Sequence, residues 1–583
     1  MSGETRRYQL RACDPGTAAE LGRALGVSAT VAQLLMHRGL SDAGSAKAFL
    51  QAPLSGLSAP DSMVDREAAA ERLAAAIRAR EQIVVFGDYD VDGTTSAALL
   101  SLALQALGGQ VQTLIADRFA GGYGFSEVAL QRVMACRPRL VVTCDCGSSD
   151  HPRLQQLRAA GVDAIVVDHH LVPDEPLPVR AFLNPHRPEC SFPFKGMCSA
   201  GLALSLVAAI RTALGRPLDV RQYLDLVALG TIADVAPLLE DNRRMVRAGL
   251  SRLASARARP GIAALREVAK LKADVPLSAI DVAFRLTPRL NAPGRLGQAG
   301  LTLALLQAQD MEAARALAQQ VEACNQERKR IEQELTAAAI DQVVAHYGEQ
   351  PTSGIVAAAV DFHPGVVGIT AARLVDRFQV PAVVVALTEP HGHGSARAPD
   401  GFPLFDAITR CASSLVRYGG HQAASGVTLA PSQLDAFREQ FAQAVVAEAG
   451  RCAIPVEPVD LQLGVGPFAV PSASELGLLE PLGEANGEPI FHLPRAVVAS
   501  ASEVGDGHLK LRLMVNGRRL SAFGFQLASR WIPAAGETVQ MLGSLRADTW
   551  TGGEAVELRL MQVLPENAPL VEPAEGVASL GGV

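Results

Sequence analysis

The chain has 583 residues, of which 49% are hydrophobic and 19% are charged, and its formal net charge is -7 at pH 7. This length predicts about three to five domains, and the composition excludes a disordered chain. The net charge excludes a uniformly basic nucleic-acid binder, so any contact with nucleic acid must be local.

Cysteine usage and hydropathy indicate the compartment. The nine cysteines are scattered and form no CxxC pair with a matching partner, which excludes a dense disulfide framework and argues against a structural zinc site. No apolar segment follows the charged N-terminus, and the apolar run at 201–210 ends at Arg211. We therefore expect free thiols, a cytoplasmic location and no contact with a membrane.

Changes in pattern along the chain predict a fold of the α/β class with two α/β lobes, a connecting helix and a C-terminal β-barrel. Apolar runs alternate with helical stretches in both lobes, which is typical of strands joined by crossover helices. The predicted divisions are an N-terminal helical module at 1–75, an α/β domain at 76–245, a helical region with a long connecting helix at 246–350, a second α/β domain at 351–450, a small barrel at 455–565 and a flexible tail at 566–583.

Hydrophobic periodicity also predicts individual elements. In the barrel, residues 509–513 alternate with a period of two, and Asn516-Gly517 indicates a type I′ hairpin. The other predicted elements are strands at 83–86, 111–115, 140–143, 164–167, 355–360 and 382–387, and helices at 96–107, 311–346 and 367–378.

Three aspartates follow the first predicted strand. Asp88, Asp90 and Asp92 would present hard oxygen ligands at the carboxyl edge of the sheet, where open α/β folds place their sites. The string also matches the start of an EF-hand, but its twelfth position is Leu99 instead of Glu and its flank is strand-like, which excludes that loop. Taken alone, the three aspartates are equally well explained as a solvated turn.

Two further strands end in the same kinds of side chain, which favours a metal site over a turn. Asp145 follows the strand at 140–143, and Asp168-His169-His170 follows the strand at 164–167. Asp234 is a fourth candidate, although alone it would more often be a helix-end residue. A mixed set of Asp and His without Cys favours Mn²⁺ or Mg²⁺, with zinc or cobalt as alternatives.

The ordered strings Asp88 to Gly93, Asp145, Asp168 to His170 and Asp234 resemble the motifs of the DHH phosphoesterase superfamily. Within it, the leading module and three further strings resemble the RecJ family of bacterial single-strand-specific DNA exonucleases over nearly the whole chain. Those strings are Asn291-Ala292-Pro293-Gly294-Arg295-Leu296, Gly394-Ser395-Ala396-Arg397-Ala398 and Gly419-Gly420-His421.

The resemblance implies the roles of the site residues. Asp145 would bridge two ions, and His170 would orient neighbouring groups or protonate the leaving group. The implied metal ligands are Asp90, Asp92, Asp145, His169 and Asp234, with Asp88 and His170 in or next to the ligand shell. All of these except Asp88 form the implied catalytic set.

The resemblance also implies contacts to DNA. The first lobe would be a DHH domain, the second a DHH-associated phosphate-binding domain, and the barrel an OB-fold, a common single-strand binder. Phe523 and Phe525 share a strand face and are interpreted as core residues. The implied nucleic-acid-binding residues are Arg118, Tyr123, Arg295, Ser395, Arg397, His421, Lys510 and Arg512.

These features predict a monomeric 5′-to-3′ exonuclease that hydrolyses single-stranded DNA in repair and recombination, with single-strand-binding protein and a helicase as expected partners. A DHH phosphodiesterase for short oligonucleotides or cyclic dinucleotides is the alternative, although it would not require the extra modules. An inactive nucleic-acid-binding protein would have lost ligands, and none of the positions named above is lost.

Overall fold

The computed structural model describes residues 7–255, 257–272, 275–420, 424–449, 456–548, 551–568 and 571–573. The N-terminal module contains β1 (Arg7–Leu10), α1 (Pro15–Leu25), α2 (Ala29–Met36) and α3 (Ala43–Gln51). Each helix starts at a side chain that accepts hydrogen bonds from the first turn, namely Asp14, Ser28 and Asp42.

The first lobe is built on a parallel sheet with strand order β3-β2-β4-β5-β6. Helices cover both of its faces, so its strands are buried and read as continuous apolar runs. Its elements are α4 (Arg66–Arg78), β2 (Gln82–Gly87), α5 (Val91–Ala106), β3 (Gln110–Ile115), α6 (Glu127–Ala135), β4 (Leu140–Cys144), α7 (His151–Ala159), β5 (Asp163–Val167), β6 (Ala181–Leu183), α8 (Ser199–Leu214), α9 (Leu224–Ala233) and α10 (Glu240–Leu253).

A helical region continues the first lobe and leads into the second. It contains α11 (Pro260–Val268), α12 (Ala279–Asp281), a π-helical turn (Val282–Leu286), α13 (Thr287–Arg295), α14 (Gly300–Gln307) and α15 (Met311–Tyr347). Helix α15 has 37 residues and is therefore about 55 Å long. Its first half packs into the core of the first lobe through Ala314 and Val321, and its second half packs into the second lobe through Leu335 and Val343.

The second lobe has a mixed sheet with strand order β10-β11-β9-β8-β7, in which only the pair β7–β8 is parallel. Its elements are β7 (Ile355–Ala359), α16 (Val367–Phe378), β8 (Ala382–Ala386), β9 (Gly392–Arg397), α17 (Leu404–Arg410), β10 (Arg417–Gly420), β11 (Ala424–Leu429) and α18 (Leu434–Ala449).

The C-terminal region forms a barrel with strand order β13-β14-β15-β16-β18-β17, which β14 closes by pairing with β17. The predicted hairpin is confirmed, because Asn516 and Gly517 have φ values of 48° and 77° between β15 and β16. The elements are β12 (Val456–Val459), β13 (Leu461–Gln462), α19 (Ala473–Gly477), β14 (Phe491–Val504), β15 (His508–Val515), β16 (Arg518–Gly524), β17 (Thr538–Ala547), β18 (Val556–Pro565) and β19 (Val571–Pro573).

The N-terminal module and the barrel share one core. Val31 and Leu34 of α2 lie in the same apolar cluster as Leu461 and Phe491 of the barrel. Strand β1 also pairs in parallel with β12 and β19 in a separate three-stranded sheet. The two ends of the chain are therefore joined, which the sequence did not indicate.

Candidate metal centre and phosphate pocket

The carboxyl edge of the first sheet brings together all seven candidate metal ligands. Three strands end there side by side, because β2 pairs with β4 and β4 pairs with β5. Helix α9 directs its C-terminal residue to the same place. The residues are Asp88, Asp90 and Asp92 after β2, Asp145 after β4, His169 and His170 after β5, and Asp234 after α9.

The loop after β2 turns tightly into helix α5. Asp90 is the N-cap residue of this helix, and its carboxylate accepts a hydrogen bond of 3.0 Å from the backbone of Gly93. A Cβ atom at Gly93 would lie 2.6 Å from the backbone nitrogen of Asp88. The glycine is therefore required for the close approach that places the three aspartates together.

Asp145 occupies the centre of the site in an unfavourable backbone conformation. Its φ is 63°, in the left-handed region, and its side chain is almost fully buried. Non-glycine residues in this region persist where surrounding structure holds them, and they cluster at functional sites. The Ser199 hydroxyl donates to its Oδ1 at 3.3 Å.

The His169 ring lies close to three of the aspartates. Its Nε2 atom lies 3.2 Å from Oδ1 of Asp145, 3.7 Å from Oδ2 of Asp234 and 3.9 Å from Oδ2 of Asp92. An imidazole nitrogen among three carboxylates is a donor set suited to a divalent cation.

Three overlapping groups have ligand atoms that all lie within 4.8 Å of one another. Asp145 belongs to two of these groups and His169 to two, so the third group is linked to each of the others by one common residue. Such a set of residues would suit two adjacent ions. The groups are Asp88 with Asp90 and Asp145, Asp92 with His169 and Asp234, and Asp145 with His169 and His170.

The electrostatics of the cluster fit bound cations. Burial and the Asp90 carboxylate raise the pKa of Asp88, and burial with Asp90 and Asp92 raises the pKa of Asp145 well above its usual range. The same causes raise the pKa of Asp234 to about 8. One oxygen of Asp88 is also buried without a hydrogen-bond partner. Divalent cations would neutralise this repulsion and supply the missing partner.

Asp168 belongs to the predicted motif but was given no role of its own, and the structure places it directly beside His170. Its Oδ1 atom accepts a hydrogen bond of 2.7 Å from Nδ1 of His170, and the backbone of Ser148 donates to Oδ2 at 3.0 Å. Burial alone would raise the pKa of Asp168, but these hydrogen bonds lower it, and Asp168 in turn raises the pKa of His170 to about 9. A buried carboxylate therefore holds the His170 ring in place.

Tyr123 contacts the centre itself. Its hydroxyl lies 3.1 Å from Nε2 of His170 and 3.3 Å from the carbonyl oxygen of Asp145. The sequence interpretation placed this residue among those that bind DNA, and that role stays a prediction. The Tyr123 hydroxyl is thus a second contact, in addition to Asp168, that holds the His170 ring in place.

Asp92 is anchored by a helix terminus that sequence patterns do not reveal. The backbone nitrogens of Ser199 and Ala200, at the start of α8, donate to its two carboxylate oxygens at 2.8 and 3.0 Å. Ser199 and Ala200 lie 107 and 108 residues after Asp92 in the chain. Only the fold brings them to the site.

A smaller cavity of about 210 Å³ lies beside the metal ligands. Asp88 and Asp90 form part of its wall, and Arg118 and Arg295 form another part. The Arg118 guanidinium lies 4.3 Å from the centre of the Tyr89 ring, and its Nε atom is buried without a hydrogen-bond partner. Burial and the nearby cations Arg118 and Arg328 lower the pKa of Arg295 to about 10.

The second lobe adds donors near this cavity. Arg295 donates to the carbonyl oxygen of Gly365 at 3.1 Å, which joins the two lobes. Arg397 donates to the Ser395 hydroxyl at 2.8 Å and has no carboxylate within 4.0 Å among the described residues. The neighbouring Arg397 charge also lowers the pKa of Arg295. His421 lies outside the described residues.

The centre opens into a large cleft of about 1660 Å³. His169, His170 and Asp234 line it from the first lobe, and Arg417 and Gly420 line it from the second. None of the described residues that line the cleft belongs to the barrel. The cleft therefore runs between the two lobes and passes the metal ligands.

The barrel carries its polar residues on a separate surface. Lys510 and Arg512 are exposed on β15, as expected from the alternation. The interpretation of Phe525 as a core residue is wrong, since 58% of its surface is exposed. Its ring lies 5.0 Å from that of Phe523 and 5.2 Å from that of His508. Phe523 pairs with the exposed Lys510 and Phe525 continues the same outer face of the barrel, whereas Leu520 and Ala522 face the core.

Family models divide the chain as the fold does. The model for the N-terminal domain of the DHH family matches residues 82–231, the DHHA1 domain model matches residues 352–447, and the RecJ OB domain model matches residues 459–562. The fold and the site thus define a DHH-family protein with a DHHA1 lobe and an OB barrel.

Relatives and solved structures narrow the assignment. The chain is 34% identical to the single-stranded-DNA-specific exonuclease RecJ of Bacillus subtilis, over 96% of this chain and 71% of the relative. The chain is also 34% identical to the RecJ of Escherichia coli, over 86% of this chain and 90% of the relative. The crystal structure of RecJ with Mn²⁺ from Thermus thermophilus has a TM-score of 0.79 at 31% identity, over 98% of this chain and 81% of that one. The chain belongs to the RecJ family.

No helix in the described part of the chain is both long and apolar enough to span a membrane.

Proposed function

We propose that this protein is a metal-dependent exonuclease that removes nucleotides from single-stranded DNA in the 5′-to-3′ direction. The observation that supports it best is that one cavity is lined both by the metal ligands Asp88 and Asp90 and by Arg118 and Arg295. The relatives named RecJ act on single-stranded DNA, and the related crystal structures contain Mn²⁺ or Mg²⁺.

The proposed cofactors are two Mn²⁺ or Mg²⁺ ions, held by the seven carboxylates and imidazoles at the sheet edge. When bound, such ions lower the pKa of a water molecule and neutralise charge on the phosphate that is attacked. The protein contributes the ligand positions. Asp168 and Tyr123 fix the His170 ring at the cleft, where it can donate a proton to the leaving oxygen.

The arginine-lined cavity would bind the terminal phosphate. Arg118 and Arg397 lack a carboxylate within 4.0 Å among the described residues, so their guanidinium groups are free to pair with an anion. A phosphate bound there would place the next phosphodiester at the metal centre. Cleavage would then release one nucleotide at a time from the end of the strand.

The alternative is hydrolysis of short oligonucleotides or cyclic dinucleotides by the same centre. The exposed residues Lys510, Arg512 and Phe525 favour a long strand, because a dinucleotide bound in the cleft does not reach the barrel. Basic residues beside an exposed ring are typical of single-strand binding surfaces.

The biological setting follows from this activity. We propose a monomer that acts in the cytoplasm during DNA repair and recombination. A helicase would supply the single strand, and single-strand-binding protein would accompany it.

Competition between substrates tests the proposal. The purified protein with Mn²⁺ is given a single-stranded 30-mer and a linear dinucleotide at equal concentrations of ends, and hydrolysis of each is followed. We expect the 30-mer to be hydrolysed faster and the Asp145→Asn variant to hydrolyse neither. A clear preference for the dinucleotide would establish the alternative.

A further inference from the structure

The large cleft beside the metal centre is lined by four described arginine and lysine residues, of which only two keep an uncompensated charge. Arg153 forms a salt bridge of 2.8 Å and Arg187 one of 2.6 Å, each with an aspartate. Lys195 on the first lobe and Arg417 on the second have no carboxylate within 4.0 Å among the described residues. Lys195 is therefore the cation that the metal-binding lobe offers to an anion in the cleft.

Neutral groups hold Lys195 in place. Its ammonium group donates to the carbonyl oxygens of Pro185 at 2.8 Å and of Cys190 at 2.7 Å. An ammonium group has three donors, so one N–H group remains for a ligand after these two bonds. The residue is exposed in the cleft, so the loop around it presents a positioned positive charge together with a hydrogen-bond donor.

His186 adds a second donor beside Lys195. Its ring lines the same cleft and forms no hydrogen bond with the described part of the chain. Burial lowers the pKa of His186, and the nearby His169 and Lys195 lower it further. The ring is therefore neutral at pH 7 and carries one N–H group that can donate to a phosphate oxygen.

The loop at 184–196, which carries both donors, is anchored to the metal centre at its two ends. The side-chain amide of Asn184 donates to the carbonyl oxygen of His170 at 2.8 Å, and its oxygen accepts from the backbone two residues further on at 2.9 Å. At the other end, a Cβ atom at Gly196 would lie only 2.4 Å from Cγ of Pro237. The loop thus packs closely against the segment that follows the last metal ligand, and its donors have a fixed position relative to the metal centre.

The metal ligands separate this loop from the arginine-lined cavity. Asp88 and Asp90 border that cavity, whereas His169, His170 and Asp234 border the cleft. With the terminal phosphate in the cavity and the next phosphodiester at the metal centre, as proposed above, the rest of the strand leaves through the cleft. Its first phosphate beyond the metal centre then lies beside the loop.

We propose that Lys195 and His186 bind the first phosphate that follows the scissile phosphodiester. This inference rests on the proposed function, because it takes the 5′ end of the strand to lie in the arginine-lined cavity. The lysine charge and the histidine N–H group would hold the retained strand at the metal centre. Only a strand of at least three nucleotides presents this phosphate, so the loop would favour strands over dinucleotides.

Uncharged linkages in the substrate test this inference on the full-length protein with Mn²⁺. Three single-stranded 30-mers carry a radiolabel on the 5′ phosphate. The first has phosphodiesters throughout, the second has an uncharged methylphosphonate at its second linkage, and the third has the methylphosphonate at its third linkage. Release of the labelled first nucleotide gives kcat/KM for the first cleavage alone.

We expect the methylphosphonate at the second linkage to lower kcat/KM about tenfold, because it removes the charge that Lys195 would contact. The same group at the third linkage should have a much smaller effect, since that linkage lies beyond the loop. The third strand is therefore the matched control for the chemical change itself.

Substitution of Lys195 assigns the effect to the loop. In Lys195→Gln the preference for the phosphodiester at the second linkage should fall to about twofold or less. It should be retained in Lys195→Arg, which keeps the charge, and in Lys47→Gln, which removes an exposed lysine of helix α3 outside the cleft. A lysine that only tied the loop together would affect all three strands alike and leave the preference unchanged.

The outcomes separate this inference from the proposed function. Equal hydrolysis of the first two strands, or an unchanged preference in Lys195→Gln, would overturn the inference and leave the proposed function standing. If the label were not released even from the strand with phosphodiesters throughout, the proposed function would fail and the inference with it.

Discussion

Without bound metal, the cluster of carboxylates at the metal centre destabilises the folded protein. Asp88, Asp92 and Asp145 are almost fully buried, and the ligand atoms of Asp88 and Asp145 lie within 4.8 Å of each other. Burial and repulsion from the Asp90 carboxylate raise the pKa of each of the three. Such a site is retained because of what it binds, since it weakens the metal-free fold.

This electrostatic arrangement predicts how the stability of the metal-free protein depends on pH. A carboxyl group with a raised pKa in the folded state stabilises the fold below its ordinary pKa of 3.8, and that stability is lost as the pH rises through the raised value, about 8 for Asp234. We expect the Tm in EDTA to fall between about pH 5 and about pH 8.

Added Mn²⁺ should restore the lost stability, so the difference in Tm between Mn²⁺ and EDTA should increase with pH across this range. Thermal unfolding at several pH values measures both quantities. A difference that is constant or decreases with pH would contradict the account of the cluster.

Replacing Asp145 with asparagine should reduce activity without reducing the stability of the metal-free protein. We expect Asp145→Asn to reduce hydrolysis on the order of 100-fold or more, because it removes a ligand shared by two of the proposed metal groups. In EDTA the variant should unfold at the same or a higher temperature, because it removes a buried negative charge. Circular dichroism melts and a nuclease assay measure the two effects.

The matched control for that variant is Asp225→Asn, another fully buried aspartate of the same lobe. Asp225 pairs with Arg259 at 2.8 Å, so its neutralisation should lower the Tm in EDTA. If Asp145→Asn lowered the Tm as much as the control, the central carboxylate would be structural.

At the residue scale, the positions of the motifs after the predicted strands located the metal ligands, but not the residues that hold those ligands in place. Asp145 and His169 were predictable because strands of a parallel sheet end at one edge. The contacts of Ser199 with Asp92 and of Tyr123 with His170 were not, because they join residues far apart in the chain without any shared motif. The exposure of Phe525 was also missed, because period-two alternation does not show which face of a strand packs against the core.

At the scale of elements, the barrel presents one surface that suits single-stranded DNA. Strand β15 exposes Lys510 and Arg512, and the exposed Phe525 ring at the end of β16 contacts His508. The Arg559 guanidinium lies 6.0 Å from the centre of the Phe525 ring. An aromatic platform beside cations is a common means of binding unpaired bases.

Removing the ring should weaken binding of long strands. We expect Phe525→Ala to raise KM for a 30-mer about tenfold, because stacking on one base contributes about 1–3 kcal/mol, and to leave kcat unchanged. The control is Phe284→Ala, which removes a ring that is 76% exposed on the helical region. Equal effects of the two substitutions on KM would refute a specific role for the barrel.

Helix α15 is the second element whose function follows from its position. It packs into both lobes, and therefore sets the width of the cleft between them. Its length was predictable from an unbroken helical pattern, from Met311 to His346 in the prediction and to Tyr347 in the structure. Its contacts with both cores depend on tertiary packing, which the pattern alone does not specify.

A proline in the exposed part of this helix tests that role. We expect Ala338→Pro to cost about 3 kcal/mol of helix stability and to reduce kcat, because it kinks the helix between Leu335 and Ala339. Ala338→Gly should cost only about 1 kcal/mol and leave kcat near normal. Full activity in the proline variant at a temperature where it is folded would show that the helix does not align the lobes.

At the scale of the whole molecule, the order of the domains was predictable and their packing was not. The change from alternating α/β patterns to period-two strands indicated two lobes and a barrel. No local signal indicated that Val31 and Leu34 of the N-terminal module share a core with Phe491 of the barrel. Contacts between residues more than 400 positions apart, such as Thr30 with Ala469, leave no trace in short windows of sequence.

The order in which the two ends of a strand are released tests the proposed metal-dependent 5′-to-3′ digestion. The protein is mixed with Mn²⁺ and a single-stranded 30-mer that carries one label on its 5′ phosphate and a different label at its 3′ end. We expect early release of the 5′ label as a mononucleotide, late release of the 3′ label, and no release of either in EDTA. Early release of the 3′ label, or hydrolysis that continues in EDTA, would contradict the proposal.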